Sequence, residues 1–147
     1  MKFSIGFATG LVILVGCTSS SVTNAPEGKW VFTHVRGTVT LTIRPDKTFK
    51  IVNSTCVSDT ELLYVWTGTY STLSDKTLKL NTTAYNFEIP SYNPKARAEL
   101  KETVAKEHAA SLKKANAEPA LQFHRSGNEL IIDNFQGQKV VFKSLPN

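Results

Sequence analysis

Cysteine is scarce in this chain, with Cys17 and Cys56 the only two in 147 residues. That count excludes a disulfide framework and a thiolate zinc cluster, both of which need several cysteines at close spacing. An isolated cysteine such as Cys56 is expected to be buried and inert. Histidine is equally thin. His34, His108 and His124 fall on separate segments with no ligand-like spacing, so no metal site is assigned. There is no Gly-x-Ser-x-Gly elbow and no phosphate-binding loop, and Asp59 and Glu61 have no nucleophile beside them. No catalytic residue and no cofactor follow, and the chain reads as non-enzymatic. The net charge of +5 is spread along the sequence and gives no footprint for nucleic acid.

Long apolar runs are also missing, with one exception at the start. Lys2 precedes an apolar stretch from Phe3 to Val15. At about 13 residues it is short of the roughly 20 that cross a bilayer, and it has the order of a secretory signal. It closes on Leu14-Val15-Gly16-Cys17, which resembles the bacterial lipobox. The resemblance implies cleavage between Gly16 and Cys17, lipidation of Cys17, and a mature protein held to a membrane by its acyl chains. Residues 1–16 are then the signal peptide and 17–27 a lipidated N-terminus and flexible tether, rich in Ser and Thr. Thr18 rather than Asp after the cysteine resembles the sorting pattern of outer-membrane lipoproteins. The expected location is the outer membrane, facing the periplasm.

From residue 28 to the end the pattern has period two. Trp30, Phe32 and His34 alternate with Val31, Thr33 and Val35. Val39, Leu41 and Ile43 alternate with threonines, and Phe49 and Ile51 open a third run. Leu62, Tyr64, Trp66, Gly68 and Tyr70 share one face of a longer strand. Leu78 with Leu80, then Tyr85, Phe87 and Ile89 beyond Asn81-Thr82-Thr83, continue the series. Leu121 with Phe123, Leu130 with Ile132, and Val140 with Phe142 complete it. Turn residues separate these runs, so eight or nine short antiparallel strands are predicted. A sandwich is the alternative, but chain-neighbour pairing favours an up-and-down barrel, which hides both the apolar face and the sheet edges.

One segment breaks the alternation. Asn93 and Pro94 suit a helix cap and first helical position. The following stretch is rich in Ala, Glu and Lys, and Pro119 ends it. A long helical insertion over 94–118 is predicted, between the sixth and seventh strands. Ala96, Leu100, Val104, His108 and Leu112 form its apolar stripe.

Gly28-Lys29-Trp30 resembles the Gly-x-Trp opening of lipocalins. Gly68-Thr69-Tyr70, Asp75-Lys76-Thr77-Leu78-Lys79-Leu80 and Gly127-Asn128-Glu129-Leu130-Ile131-Ile132-Asp133 resemble segments of small bacterial lipocalin-like lipoproteins. The family implies a lipocalin-like barrel, although its own helix follows the last barrel strands instead of interrupting them. Tyr64, Trp66 and Tyr70, with Tyr85 and Phe87 on the next hairpin, read either as ordinary core or as the wall of a ligand cavity. The expected function is non-enzymatic binding of a small apolar or amphipathic ligand, in or at the mouth of the barrel. The alternative is a protein–protein module of the cell envelope, an inhibitor or an assembly factor.

Overall fold

The alternating pattern forms eight strands in a computed structural model, which describes residues 25–57, 60–90 and 94–145. The strands are β1 (Gly28–His34), β2 (Gly37–Ile43), β3 (Thr48–Val57), β4 (Thr60–Ser74), β5 (Thr77–Glu88), β6 (Leu121–Ser126), β7 (Glu129–Phe135) and β8 (Gln138–Ser144). Each pairs antiparallel with its chain neighbour. β8 returns to β1, with Trp30 opposite Ser144 and Val31 opposite Lys143, and closes an up-and-down barrel. The sandwich is thereby ruled out. Gly16 and Cys17 of the predicted signal junction lie outside the described residues.

The strand count is eight because Asn81-Thr82-Thr83 is not a junction between two strands. The register of β4 on β5 slips between Thr67, opposite Ala84, and Gly68, opposite Thr82. Thr83 is the extra residue of a bulge in one continuous strand. Gly68 belongs to the same irregularity, since a Cβ there would lie 2.0 Å from the Asn81 carbonyl oxygen. Cys56 is a second correction. Phe49 and Ile51 set the inward parity of β3, so residue 56 falls on the outer face and is exposed.

The barrel interior is filled by side chains from β1–β3, β5, β7 and β8. Trp30, Leu41, Phe49, Leu78, Leu130, Ile132 and Phe142 are each under 2 % exposed. Burial of such a side chain contributes roughly 1.5–3 kcal/mol. Trp30 plugs the end at which the described chain begins. Its indole N–H donates to the Pro26 carbonyl at 2.8 Å, and the Arg125 guanidinium lies 5.2 Å from its ring. Gly28 makes room for it. Its φ of +147° suits glycine, and a Cβ would crowd the Trp30 ring at 3.1 Å. Beside it the Tyr70 hydroxyl lies 3.0 Å from both the Glu27 carboxylate and the Arg44 carbonyl.

The helix α1 (Pro94–Ala117) joins β5 to β6, the fifth and sixth strands, not the sixth and seventh. β5 is long, and β6 pairs with it only at Thr77 and Leu78. α1 lies against the part of β5 that outruns β6. Asn116 ties the two together as a strand would. Its amide accepts from Thr82 N–H at 2.7 Å and donates to the Thr82 carbonyl at 2.9 Å. Lys79 Nζ donates to the carbonyls of Asn116 and Glu118, satisfying the helix C-terminus. Among the described side chains the half-buried face is His108, Ser111, Leu112 and Ala115. Of the predicted stripe, His108 and Leu112 lie on this face, and Ser111 and Ala115 widen it. Ala96, Leu100 and Val104 lie outside the described side chains. No described helix is long and apolar enough to cross a membrane.

Candidate ligand-binding site

Four of the five predicted aromatics come together on the inner face of β4 and β5. Antiparallel pairing sets Trp66 opposite Tyr85 and Tyr64 opposite Phe87. The rings form one row. Tyr64 stacks on Trp66 at 6.2 Å and meets Phe87 edge-on at 5.1 Å. Trp66 lies 5.3 Å from Tyr85. Tyr85 in turn lies 6.0 Å from His108, so the row ends on the helix. Burial, with Tyr64 and Glu107 nearby, holds the Tyr85 hydroxyl above the ordinary phenol range. Tyr70 is not part of this group. Its hydroxyl is engaged at the Trp30 end of the barrel, by Glu27 and Arg44.

At the foot of the row is a cavity of about 250 Å³. It exists because β5 outruns β6 and the helix, not a strand, closes the gap. A helix cannot follow the pleat of β5 rung by rung, so space remains behind it. The barrel side of the cavity is Ile51, Trp66, Leu80 and Thr82. The helix contributes Ser111, Lys114 and Ala115, and Glu118 with Pro119 follow at its end. Leu121 at the start of β6, with Phe135 and Gln136 at the β7–β8 turn, completes the wall. Aliphatic and aromatic side chains form the floor, while Lys114, Glu118 and Gln136 supply the charged and amide groups.

Polar groups facing the interior near the aromatic row are few. Asn53 sits opposite Tyr64, and its Oδ1 is buried with no hydrogen-bond partner among the described residues. Thr82 lines the cavity with its backbone already satisfied by Asn116. Among the described residues, no three His, Cys, Asp or Glu side chains gather as metal ligands.

Of the predicted aromatics, Trp66 lines the cavity and Tyr64, Tyr85 and Phe87 stand in the row beside it. Ile51 and Leu80 also line the cavity, and their inward parity with Trp66 was legible in the alternation. Ser111, Lys114 and Ala115 carry no such signal, because they become neighbours of the barrel wall only through the unequal lengths of β5 and β6. Comparison with protein-family models, curated proteins and solved structures returned no match.

Proposed function

We propose that this protein is a lipid-anchored, lipocalin-like binding protein of the bacterial envelope, tethered through Cys17 to the outer membrane on its periplasmic side. It holds a small apolar or amphipathic ligand without transforming it. The observation that carries the binding reading is the apolar cavity of about 250 Å³ beneath the aromatic row. That volume exceeds the roughly 150 Å³ that accepts a benzene in an engineered protein cavity. It lies just below the roughly 300–1,000 Å³ of drug-sized sites. The ligand therefore rests between α1 and the barrel wall, with Trp66 beside it, and the filled interior around Trp30 plays no part.

Among the described residues the barrel closes and its core packs within 28–144, and the chain from Ala25 onward is expected to fold by itself. Native mass spectrometry of that domain, purified from bacterial cells without detergent, should show a bound mass of a few hundred daltons or less. Unfolding in acid should release it. A Trp66→Phe variant should lose the fluorescence change that accompanies rebinding, while a Trp30→Phe variant keeps it. A domain that emerges empty, and takes up no apolar probe, overturns the binding reading.

A further inference from the structure

The cavity has two aromatic walls. Trp66 lines it from β4 and Phe135 from the end of β7, alongside the aliphatic Ile51, Leu80 and Leu121. Both rings are fixed by other rings. Trp66 stands 6.2 Å from Tyr64 and 5.3 Å from Tyr85. Phe135 meets Phe142 edge-on, with 5.3 Å between centroids and 83° between planes. Among the described ring pairs Trp66 and Phe135 are not in contact with each other, so each can meet a third ring in the space they share. Because neighbouring rings already order them, little side-chain freedom is lost when a ligand enters. A ring placed against a ring gains about two- to tenfold in affinity beyond its buried area, since the positive edge of one meets the negative face of the other. A saturated ring has no such charge pattern.

We infer, on the premise that the cavity binds a ligand as proposed, that it selects an aromatic compound over an aliphatic one of the same carbon skeleton. The ligand's ring lies against Trp66 and Phe135. Charge does not make the choice, because Lys114 and Glu118 on the helical wall have opposite signs. The Lys79 ammonium close by is engaged by the carbonyls of Asn116 and Glu118. Hydrogen bonding does not make it either, since a hydroxyl on the ligand serves both kinds of compound equally. What distinguishes them is the pair of ring walls.

The test uses matched pairs of alcohols that differ only in saturation of the ring: benzyl alcohol with cyclohexylmethanol, and 2-phenylethanol with 2-cyclohexylethanol. Each is titrated by calorimetry into the full chain with Cys17→Ser, which keeps every residue of the cavity. The saturated member exposes more apolar surface, so burial of area alone would make it the tighter binder. Ring walls should reverse that order, with each aromatic member binding about tenfold more tightly than its partner. Trp66→Leu and Phe135→Leu keep the lining apolar and remove one ring wall each. Either should shrink the preference to about threefold or less, with the melting temperature recording that the fold is kept. Trp30→Phe, at the filled end of the barrel, should leave the preference unchanged. Pairs that bind equally, or with the saturated member tighter, overturn the aromatic selection while leaving ligand binding intact. So does a preference that survives undiminished in both leucine variants, because the selecting rings would then lie elsewhere. If no member of either pair binds, the binding reading itself fails.

Discussion

At the residue scale, two aromatic side chains that share the closed end of the barrel behave differently in solution. Trp30 is 1 % exposed and fills the plug position, with its N–H satisfied by Pro26. Trp30→Ala should cost about 3–5 kcal/mol, a large part of the roughly 5–15 kcal/mol that holds a small domain together. Chemical denaturation should show the midpoint falling sharply, with the slope little changed. Tyr70 supplies a pH signature instead. Burial first, and then the hydrogen bond and negative charge of Glu27, push its hydroxyl up to about 12. Its unfolded value is about 10. The neutral phenol is the form the fold prefers, so its contribution is complete below pH 10 and is lost as the pH rises from 10 towards 12. Thermal melts across that window should show a steep alkaline loss of stability. In Tyr70→Phe the loss should be shallower, because the titrating group is gone. Cys56 shows why a single residue is hard to place from composition. Burial there depends on strand parity, and parity puts it outside although free cysteines are usually inside.

At the scale of elements, the seam between β5 and α1 decides the site. β5 has twelve residues and β6 has six. Only Thr77 and Leu78 of β5 find partners in β6, which leaves a strand edge that water or another element must satisfy. Asn116 does this for Thr82, accepting from its N–H and donating to its carbonyl. Asn134 does the same on the other side of β6, accepting from Gln122 N–H and donating to the Ala120 carbonyl, both at 2.9 Å. Side-chain amides thus replace the ladder where the strands run out. Asn116→Ala leaves two part-buried backbone groups of Thr82 without partners, at a cost of about 1–3 kcal/mol. Hydrogen exchange should then speed up at Thr82 and along the end of α1, with Leu41 and Leu130 still protected. Uniform loss of protection would show that the seam is part of the global folding unit.

That seam also marks how far the sequence could be read. Strand runs, turns and the inward face were legible, because period-two alternation reports directly on which side chains face the core. Trp30, Leu41, Phe49, Leu130 and Phe142 all fall where alternation puts them. The bulge at Thr83 was not legible, since one extra residue in a threonine-rich stretch looks like a turn. Nor was the cavity. It depends on how far β5 extends past β6 and on which helix face meets it, and both are set by tertiary pairing instead of local pattern. Tyr70 shares a strand face with Trp66, but beyond that face its hydroxyl commits to Glu27, 43 residues away in sequence.

At the scale of the whole molecule, the two ends of β6 would separate the proposed anchor from the proposed binding site. Arg125, near the end of β6, donates to the Ala25 carbonyl at 3.4 Å, so the chain joins the barrel there, beside Trp30. Leu121, at the start of β6, lines the cavity. If Cys17 is lipidated as proposed, the membrane lies on the Trp30 side. The seven residues from Thr18 to Asn24 can span at most roughly 25 Å, at about 3.6 Å each. Cys17→Ser should then abolish palmitate labelling and membrane fractionation, and the barrel should melt as before. Native lipidated protein in vesicles gives the sharper measurement. The cavity should open towards water, so aqueous acrylamide should quench Trp66 as efficiently as in the free domain. Lipids brominated along their acyl chains should leave Trp66 bright. Strong quenching of Trp66 by the brominated lipids would mean that the α1 seam rests on the bilayer. The ligand would then pass from the membrane directly into the cavity, and the tether would hold the barrel on its side instead of upright on its Trp30 end.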